Sequence, residues 1–148
     1  MMRKLIPFVG LDNYKLFQSV QTVKNELTAN GETYKEEYWP NDELTNPIPW
    51  IVIKTNSNIS FFFANDKLFK IYVEDDNDFV LENGIQIGMP WDDAEQIDPE
   101  LSYDDWNEDW NSPKGYWLED DIDNKTVSSI TIFIKEVLDD DVFDKYEW

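Results

Sequence analysis

Apolar residues near the amino terminus recur with a helical period. They lie three or four positions apart, as on the buried stripe of an amphipathic helix: Leu16, Phe17, Val20, Val23 and Leu27. Asp12 or Asn13 can accept a hydrogen bond from a free backbone N–H at the start of this helix, and Asn30-Gly31 is a typical stop. The pattern therefore predicts one helix that ends before Gly31.

Three apolar runs after this helix predict strands. Residues 49–54, 59–64 and 68–73 are rich in β-branched and aromatic side chains and are separated by short polar turns. Runs joined in this way form an antiparallel meander. Residues 32–47 contain two prolines and many acids, so we expect a loop there around a short strand at Tyr38-Trp39.

The run at residues 68–73 alternates in character. One face is amphipathic and the other is apolar, and the two sets are Leu68, Lys70 and Tyr72 on the first and Phe69, Ile71 and Val73 on the second. Lys70 and Lys135 are lone bases within strand patterns. We expect both on a solvent-facing side or beside a neighbouring acid.

The second half of the chain repeats this order. Residues 90–97 predict a short helix, because proline suits the first helical position and acids suit the first turn. Residues 98–114 are expected to form a long acidic and aromatic loop. Residues 115–119 and 128–136 then predict two strands around a turn at 123–125.

Together these elements predict an α+β fold in a single domain, residues 1–148, with an antiparallel sheet packed by one or two short helices. Both halves contain a glycine followed by an apolar residue, then a helix, an acidic loop with tryptophan and two strands. An internal duplication would give two similar α-β-β halves, about 8–80 and 82–138. The alternative is that a small α+β chain shows this order by chance.

The composition removes several kinds of chemistry. The chain has no Cys and no His, which excludes disulfides, thiolate catalysis, the Ser-His-Asp triad and the usual zinc sites. No apolar run reaches the length of a membrane span, and the apolar stretch after Lys4 is too short for a secretory signal. We therefore expect a cytoplasmic protein that is not an enzyme and uses no metal or cofactor.

The acidic residues concentrate in the second half. Residues 1–80 have 8 basic and 12 acidic side chains, a net charge of −4, whereas residues 81–148 have 4 and 20, a net charge of −16. Twelve acids and one base, Lys114, lie between positions 92 and 121. Such a surface repels phosphate backbones and anionic lipid heads, so no nucleic-acid or membrane partner is expected. We expect a basic protein as the partner.

Aromatic side chains interleave with these acids and predict a partner-binding surface. Acids steer a basic partner toward the surface, and aromatic rings anchor it because they bury much area while losing few torsions. The predicted partner-binding residues are Trp91, Asp104, Asp105, Trp106, Glu108, Asp109, Trp110, Glu119, Asp120 and Asp121. The alternative is that the acids solubilise one face while the tryptophans pack inward.

Other functions stay open from the sequence. A nonstandard calcium site could use Asp104, Asp105, Glu108 and Asp109, whereas residues 121–125 match an EF-hand start without its glycine or final glutamate. A tryptophan-lined cleft with paired carboxylates would suit a carbohydrate. The acids could also imitate nucleic acid and occupy a DNA-binding protein.

Two resemblances extend the partner-binding hypothesis. The stretch Gly84-Ile85-Gln86-Ile87-Gly88-Met89-Pro90-Trp91-Asp92-Asp93-Ala94 resembles the helix start of the β-lactamase inhibitory protein and small outer-membrane assembly lipoprotein group, whose domains have a helix pair before an antiparallel sheet. The short, acidic, Trp-rich chain, ending Phe143-Asp144-Lys145-Tyr146-Glu147-Trp148, is similar to the immunity proteins of bacterial toxin systems, including contact-dependent inhibition and polymorphic toxins. That resemblance implies a stoichiometric inhibitor that blocks the active site or substrate groove of a cognate toxin domain.

Overall fold

The computed structural model of the protein describes residues 2–44 and 46–148. A small sheet near the amino terminus contains β1 (Arg3–Ile6), β2 (Gly10–Leu11), β3 (Tyr14–Lys15) and β8 (Phe79–Leu81). Its order is β3-β2-β1-β8, and β8 lies parallel to β1. The strands between β3 and β8 belong to a second, larger sheet.

The large sheet has eight antiparallel strands, four from each half of the chain. The first half supplies β4 (Tyr34–Trp39), β5 (Trp50–Thr55), β6 (Ile59–Ala64) and β7 (Lys67–Glu74). The second half supplies β9 (Ser102–Asp104), β10 (Asp109–Ser112), β11 (Tyr116–Asp121) and β12 (Thr126–Phe133). The order β4-β5-β6-β7-β12-β11-β10-β9 joins two meanders through the β7–β12 pair.

Three α-helices and one 3-10 helix lie among the described residues: α1 (Val20–Ala29), α2 (Trp91–Ile97), a 3-10 helix (Lys135–Leu138) and α3 (Asp140–Phe143). All are short, and the sheet is predominantly antiparallel. The predicted fold class, α+β with an antiparallel sheet packed by short helices, is confirmed. Within the described parts of the chain, no helix has the length and apolar character needed to cross a bilayer.

The structure corrects three local predictions. Helix α1 begins seven residues after Asn13, because the chain first forms the β2–β3 hairpin and Ser19 Oγ then accepts from Thr22 N at 3.1 Å. Strand β4 is a full six residues rather than a short Tyr38-Trp39 strand. Residues 98–114, expected as a loop, contain β9 and β10.

Each half of the chain places one helix before a four-stranded meander. The first half has α1 followed by β4 to β7, and the second has α2 followed by β9 to β12. The sequence predicted three strands and a short Tyr38-Trp39 strand after the first helix but only two strands after the second, because the polar strands β9 and β10 lack an apolar pattern. The parallel order of elements agrees with two similar halves, and their common origin stays a prediction.

One face of the large sheet builds the core. Ile53, Phe61, Ile71, Ile130 and other buried residues of this face join α1, α2 and the small sheet in a single hydrophobic cluster. The opposite side chains form what we call the second face: Trp50, Phe62, Lys70, Tyr72, Trp117, Glu119 and Thr131. The register pairs Phe62 with Lys70 and Thr131 with Tyr72, so alternation along each strand keeps this set together.

The C-terminal segment, residues 140–148, covers one end of the second face. The rings of Phe143 and Trp148 lie 5.5 and 5.6 Å from that of Phe69. Trp50 Nε1 donates to the Tyr146 hydroxyl at 3.2 Å. Phe69 is the unpaired residue at the register shift between Phe62 and Phe63, so its ring joins this aromatic group rather than the apolar face that the alternation predicted. The uncovered remainder of the second face is open to a ligand.

Candidate interaction site on the second face

The β9–β10 hairpin presents a tryptophan to solvent at the edge of the large sheet. Trp106 is 92% exposed. Asp104 fixes the turn: its Oδ1 accepts from Trp106 N at 2.9 Å and its Oδ2 from Asn107 Nδ2 at 3.0 Å. The Trp106 N–H holds the pKa of Asp104 below its usual value. The ring is therefore carried by an ordered turn, which reduces the conformational entropy lost on binding.

Aromatic rings support this hairpin from the core side. The ring of Trp110 lies 4.9 Å from that of Trp91 and 5.2 Å from that of Tyr103, and Trp110 Nε1 donates to Asp120 Oδ1 at 3.3 Å. Trp91 is only 7% exposed. Trp91, predicted to bind the partner, is thus buried beneath the hairpin, because its position at the start of α2 faces inward with Ala94.

A cleft of about 630 Å³ occupies the open part of the second face. Phe62, Lys70, Tyr72, Trp117 and Thr131 are among its lining residues. Strands also contribute Trp50, Asp109 and Glu119. Loops and the C-terminal segment contribute further lining residues, which include Leu44, Trp106, Asp140 and Phe143. Four acids and one base line the cleft: Asp109, Glu119, Asp140, Asp144 and Lys70.

Lys70 lies among aromatic rings instead of facing bulk solvent. Its Nζ is 4.2 Å from the centroid of Phe62, 5.3 Å from that of Trp50 and 5.7 Å from that of Trp117. Burial lowers the pKa of Lys70 to about 8, and Asp109 opposes this shift only in part. Of the two positions expected for Lys70, the solvent-facing one is wrong, because its ammonium lies over these rings. Its electrostatic interaction with Asp109 agrees with the other expected position, beside an acid.

Asp109 is a buried carboxylate without a full set of partners. It is 9% exposed, and its Oδ1 receives no hydrogen bond from any described residue. Burial raises the pKa of Asp109 to about 6, repulsion from Asp104 and Glu119 adds to the shift, and Lys70 opposes it. Since a buried unpaired oxygen costs free energy, Asp109 reduces the stability of the free protein.

Replacing Asp109 with asparagine is expected to stabilise the free protein. Because the pKa of Asp109 is raised in the folded state, the folded protein binds more protons than the unfolded chain between about pH 4 and 6. The free energy of unfolding of the wild-type protein therefore falls as the pH rises through that range. Allowing for solvent screening, we expect Asp109→Asn to raise the free energy of unfolding by about 2 kcal/mol at pH 7 and about half that at pH 5. Urea unfolding at both pH values measures this difference.

The matched control is Asp105→Asn, which removes the same charge from an exposed position on the same hairpin. We expect this control to change stability by less than about 0.5 kcal/mol at either pH. A lower free energy of unfolding in Asp109→Asn would show that the Asp109 carboxylate is well satisfied. An increase that is independent of pH would show that ionisation of Asp109 does not reduce stability.

Glu119 connects the cleft to a second acidic depression. Ser129 Oγ donates to Glu119 Oε1 at 2.6 Å, and the Tyr72 hydroxyl lies 3.0 Å from the same oxygen and 2.9 Å from Glu74 Oε2. Tyr72 and Glu119 also line the neighbouring depression of about 450 Å³. Its lining includes five acids and, as far as the described residues go, no base: Glu74, Asp75, Glu108, Glu119 and Asp120.

The structure places five of the ten predicted partner-binding residues in the cleft or the second depression. Trp106, Asp109 and Glu119 line the cleft, and Glu108, Glu119 and Asp120 line the second depression. The other hairpin residues have different places. Asp104 orders the turn, Asp105 is exposed, and Trp110 is half-buried against Trp91.

Asp121 lies apart from the cleft. It ends β11, and its carboxylate accepts from Asp123 N, Asn124 N and Asn124 Nδ2 in the β11–β12 turn. Those contacts hold the pKa of Asp121 below its usual value, with the backbone N–H of Asn124 as the largest cause. The segment that weakly matches an EF-hand start is thus an ordinary hydrogen-bonded turn. No group of three or more acids in residues 2–44 and 46–148 is arranged to hold a metal ion.

The sequence analysis missed the first-half residues of the site. Trp50, Phe62, Lys70 and Tyr72 come from β5 to β7, far from the acidic segment in sequence. The alternation around Lys70 placed it with Tyr72, but the pairing of β7 with β12 brings both beside Trp117 and Glu119. Comparisons of the chain with protein families, curated proteins and solved structures found no match.

Proposed function

We propose that this protein is a non-catalytic, stoichiometric inhibitor that binds and neutralises a basic protein, and specifically an immunity protein for a bacterial toxin. It would act in the cytoplasm, as the sequence predicts. The observation that carries the proposal is the 92% exposed Trp106 on an ordered acidic hairpin, beside two depressions rich in carboxylates.

The exposed indole supports a protein partner. Tryptophan is enriched among the residues that dominate interface energies, because its ring buries a large area when a partner covers it. Asp104 holds the turn that carries Trp106, so little order remains to be imposed when a partner binds. Tyr103 and Ile122 are 47% and 81% exposed. Both line the second acidic depression, where they add apolar contact area.

The charge supports a basic partner. The net charge of −16 in residues 81–148 produces a negative potential that raises the rate of encounter with a cationic surface. In a nuclease or another phosphate-binding toxin, such a surface is where substrate phosphates lie. Acids bound there would exclude the substrate, while buried rings would slow dissociation.

Affinity capture with matched variants tests the proposed function. The wild-type chain, a variant with Asp105→Lys, Trp106→Ala and Glu108→Lys, and a control with Asp92→Lys and Asp93→Lys are immobilised and exposed to lysate of the source cell. We expect wild type and control to retain the same basic protein and the hairpin variant to lose it. Once purified, that protein should bind in a 1:1 ratio, and its activity should be inhibited.

Two results would contradict the proposed function. In the first, the three baits retain the same proteins, so the hairpin contributes nothing. In the second, DNA displaces several unrelated DNA-binding proteins from the wild-type bait, which would make the chain a nucleic-acid mimic instead of the inhibitor of a single partner.

A further inference from the structure

The cleft contains a hydrogen-bond acceptor that its own residues do not satisfy. Asp109 lines the cleft at 9% exposure, and its Oδ1 has no donor in the described part of the chain. A buried carboxylate oxygen is normally paired, so this arrangement calls for donors from a ligand.

The charges of the cleft call for a cationic ligand. Asp104 and Glu119 repel the charge on Asp109. Lys70 is the only basic residue lining the cleft among the residues described, against four acids, and it makes no ion pair or hydrogen bond there. Its ammonium lies over the rings instead, which shows that these rings accept a cation. A second cation beside Asp109 would relieve the carboxylate repulsion that Lys70 leaves uncompensated.

The geometry favours a guanidinium over an ammonium. A guanidinium has five donors in one plane, so it can serve two carboxylates at once and stack on an indole. Asp109 and Glu119 belong to neighbouring strands and line the same cleft as Trp117 and Trp106. An ammonium is a compact point charge, so it can neither donate to two carboxylates from one plane nor stack on an indole.

We propose that Asp109 and Glu119 form a guanidinium-binding site in the cleft of the second face, and that an arginine side chain of the basic partner fills it. The identity of this occupant rests on the proposed function, whereas the guanidinium chemistry rests on the cleft alone. The partner's arginine would enter beside Trp106. Its guanidinium N–H groups would donate to the two carboxylates, and the flat face of the guanidinium would stack on an indole.

A small-molecule titration tests the site without the partner. N-acetyl-arginine amide is titrated into the isotope-labelled chain at low ionic strength, and the indole N–H signals of Trp106 and Trp117 are followed by NMR. N-acetyl-lysine amide and N-acetyl-glutamine amide are the control ligands. We expect saturable shifts with the arginine derivative and an affinity about tenfold higher than for the lysine derivative, the advantage of a bidentate pair.

Variants assign the site to its carboxylates. Asp109→Asn, which should fold more stably than wild type, is expected to lower the affinity for the arginine derivative about tenfold, and Glu119→Gln to lower it several-fold. Asp123→Asn, an exposed acid in the β11–β12 turn, is the matched control and should leave the affinity within about twofold. Equal shifts with the lysine derivative, or an unchanged affinity in Asp109→Asn, would overturn the proposed site.

Different experimental results would contradict the guanidinium site and the inhibitor function. Specific binding of the arginine derivative with no basic protein captured would support the guanidinium site and contradict the inhibitor function. Capture of a basic protein whose affinity is unchanged by Asp109→Asn would support the inhibitor function and contradict the site.

Discussion

Replacing Asp98 with alanine is expected to lower the free energy of unfolding by about 3 kcal/mol. Asp98 is fully buried at the end of α2. Its Oδ2 accepts from Ser112 Oγ at 2.6 Å and from the Tyr116 hydroxyl, and its Oδ1 accepts from Lys114 Nζ at 2.9 Å. Alanine would leave these donors unpaired between α2 and the β10–β11 turn. Urea unfolding at pH 7 measures the loss.

The pH dependence separates this network from simple packing. Burial opposes ionisation of Asp98, but the hydrogen bonds from Ser112, Tyr116 and Lys114 outweigh it and lower its pKa to about 2. The ionised carboxylate therefore contributes stability that is complete above about pH 4 and is lost as the pH falls toward 2. We expect the Asp98→Ala variant to have lost this part of the acid sensitivity.

The control for this variant is Asp93→Ala, an exposed aspartate on the same helix. We expect it to cost less than about 1 kcal/mol, the usual value of an acid near a helix start. A similar loss in both variants, or a loss in Asp98→Ala below 1 kcal/mol, would mean that the buried network does not hold α2 against the sheet.

Two buried aspartates thus have opposite effects on stability. Asp98 has three side-chain donors, and its pKa is lowered to about 2, whereas Asp109 has an oxygen without a donor among the described residues, and its pKa is raised to about 6. Residues that reduce the stability of a free protein are concentrated at functional sites. This contrast supports the proposed guanidinium site at Asp109, whereas Asp98 belongs to the scaffold.

The sequence predicts the centre of the fold better than its edges. The strands β5, β6, β7 and β12 are rich in β-branched and aromatic residues, because both of their neighbours are strands and one face of each packs into the core. Strand β9 is the edge strand and β10 lies beside it, and both carry mostly polar residues, so no apolar pattern marks them. Strands β2 and β3 have two residues each, too few for any period to be read.

The candidate site is predicted only in part, for a related reason. Charge counting locates the acidic segment, and the β9–β10 hairpin indeed carries Trp106 and Asp109. Trp91 was misplaced although Ala94, three residues on, shares its inward helix face. The environment of Lys70 depends on Trp50 and Trp117, which approach it only through the pairing of β7 with its neighbouring strands.

Replacing Trp106 with alanine is expected to have the largest effect on binding. A central exposed tryptophan that becomes buried in an interface is worth about 2 to 4 kcal/mol, so we expect an affinity loss of about 100-fold for the captured basic partner. Because Trp106 is 92% exposed, its removal should change the free energy of unfolding by less than about 0.5 kcal/mol. Dissociation rather than association should account for most of the loss.

Tyr38→Ala provides the matched control. Tyr38 is also an exposed aromatic residue, at 67%, but it lies on β4 at the opposite edge of the large sheet. The decisive measurement is the equilibrium affinity of the purified partner for wild type, Trp106→Ala and Tyr38→Ala under the same salt conditions. An affinity about 100-fold weaker in Trp106→Ala and nearly unchanged in Tyr38→Ala is the expected result. Wild-type affinity in Trp106→Ala would contradict the assignment of this surface to partner binding.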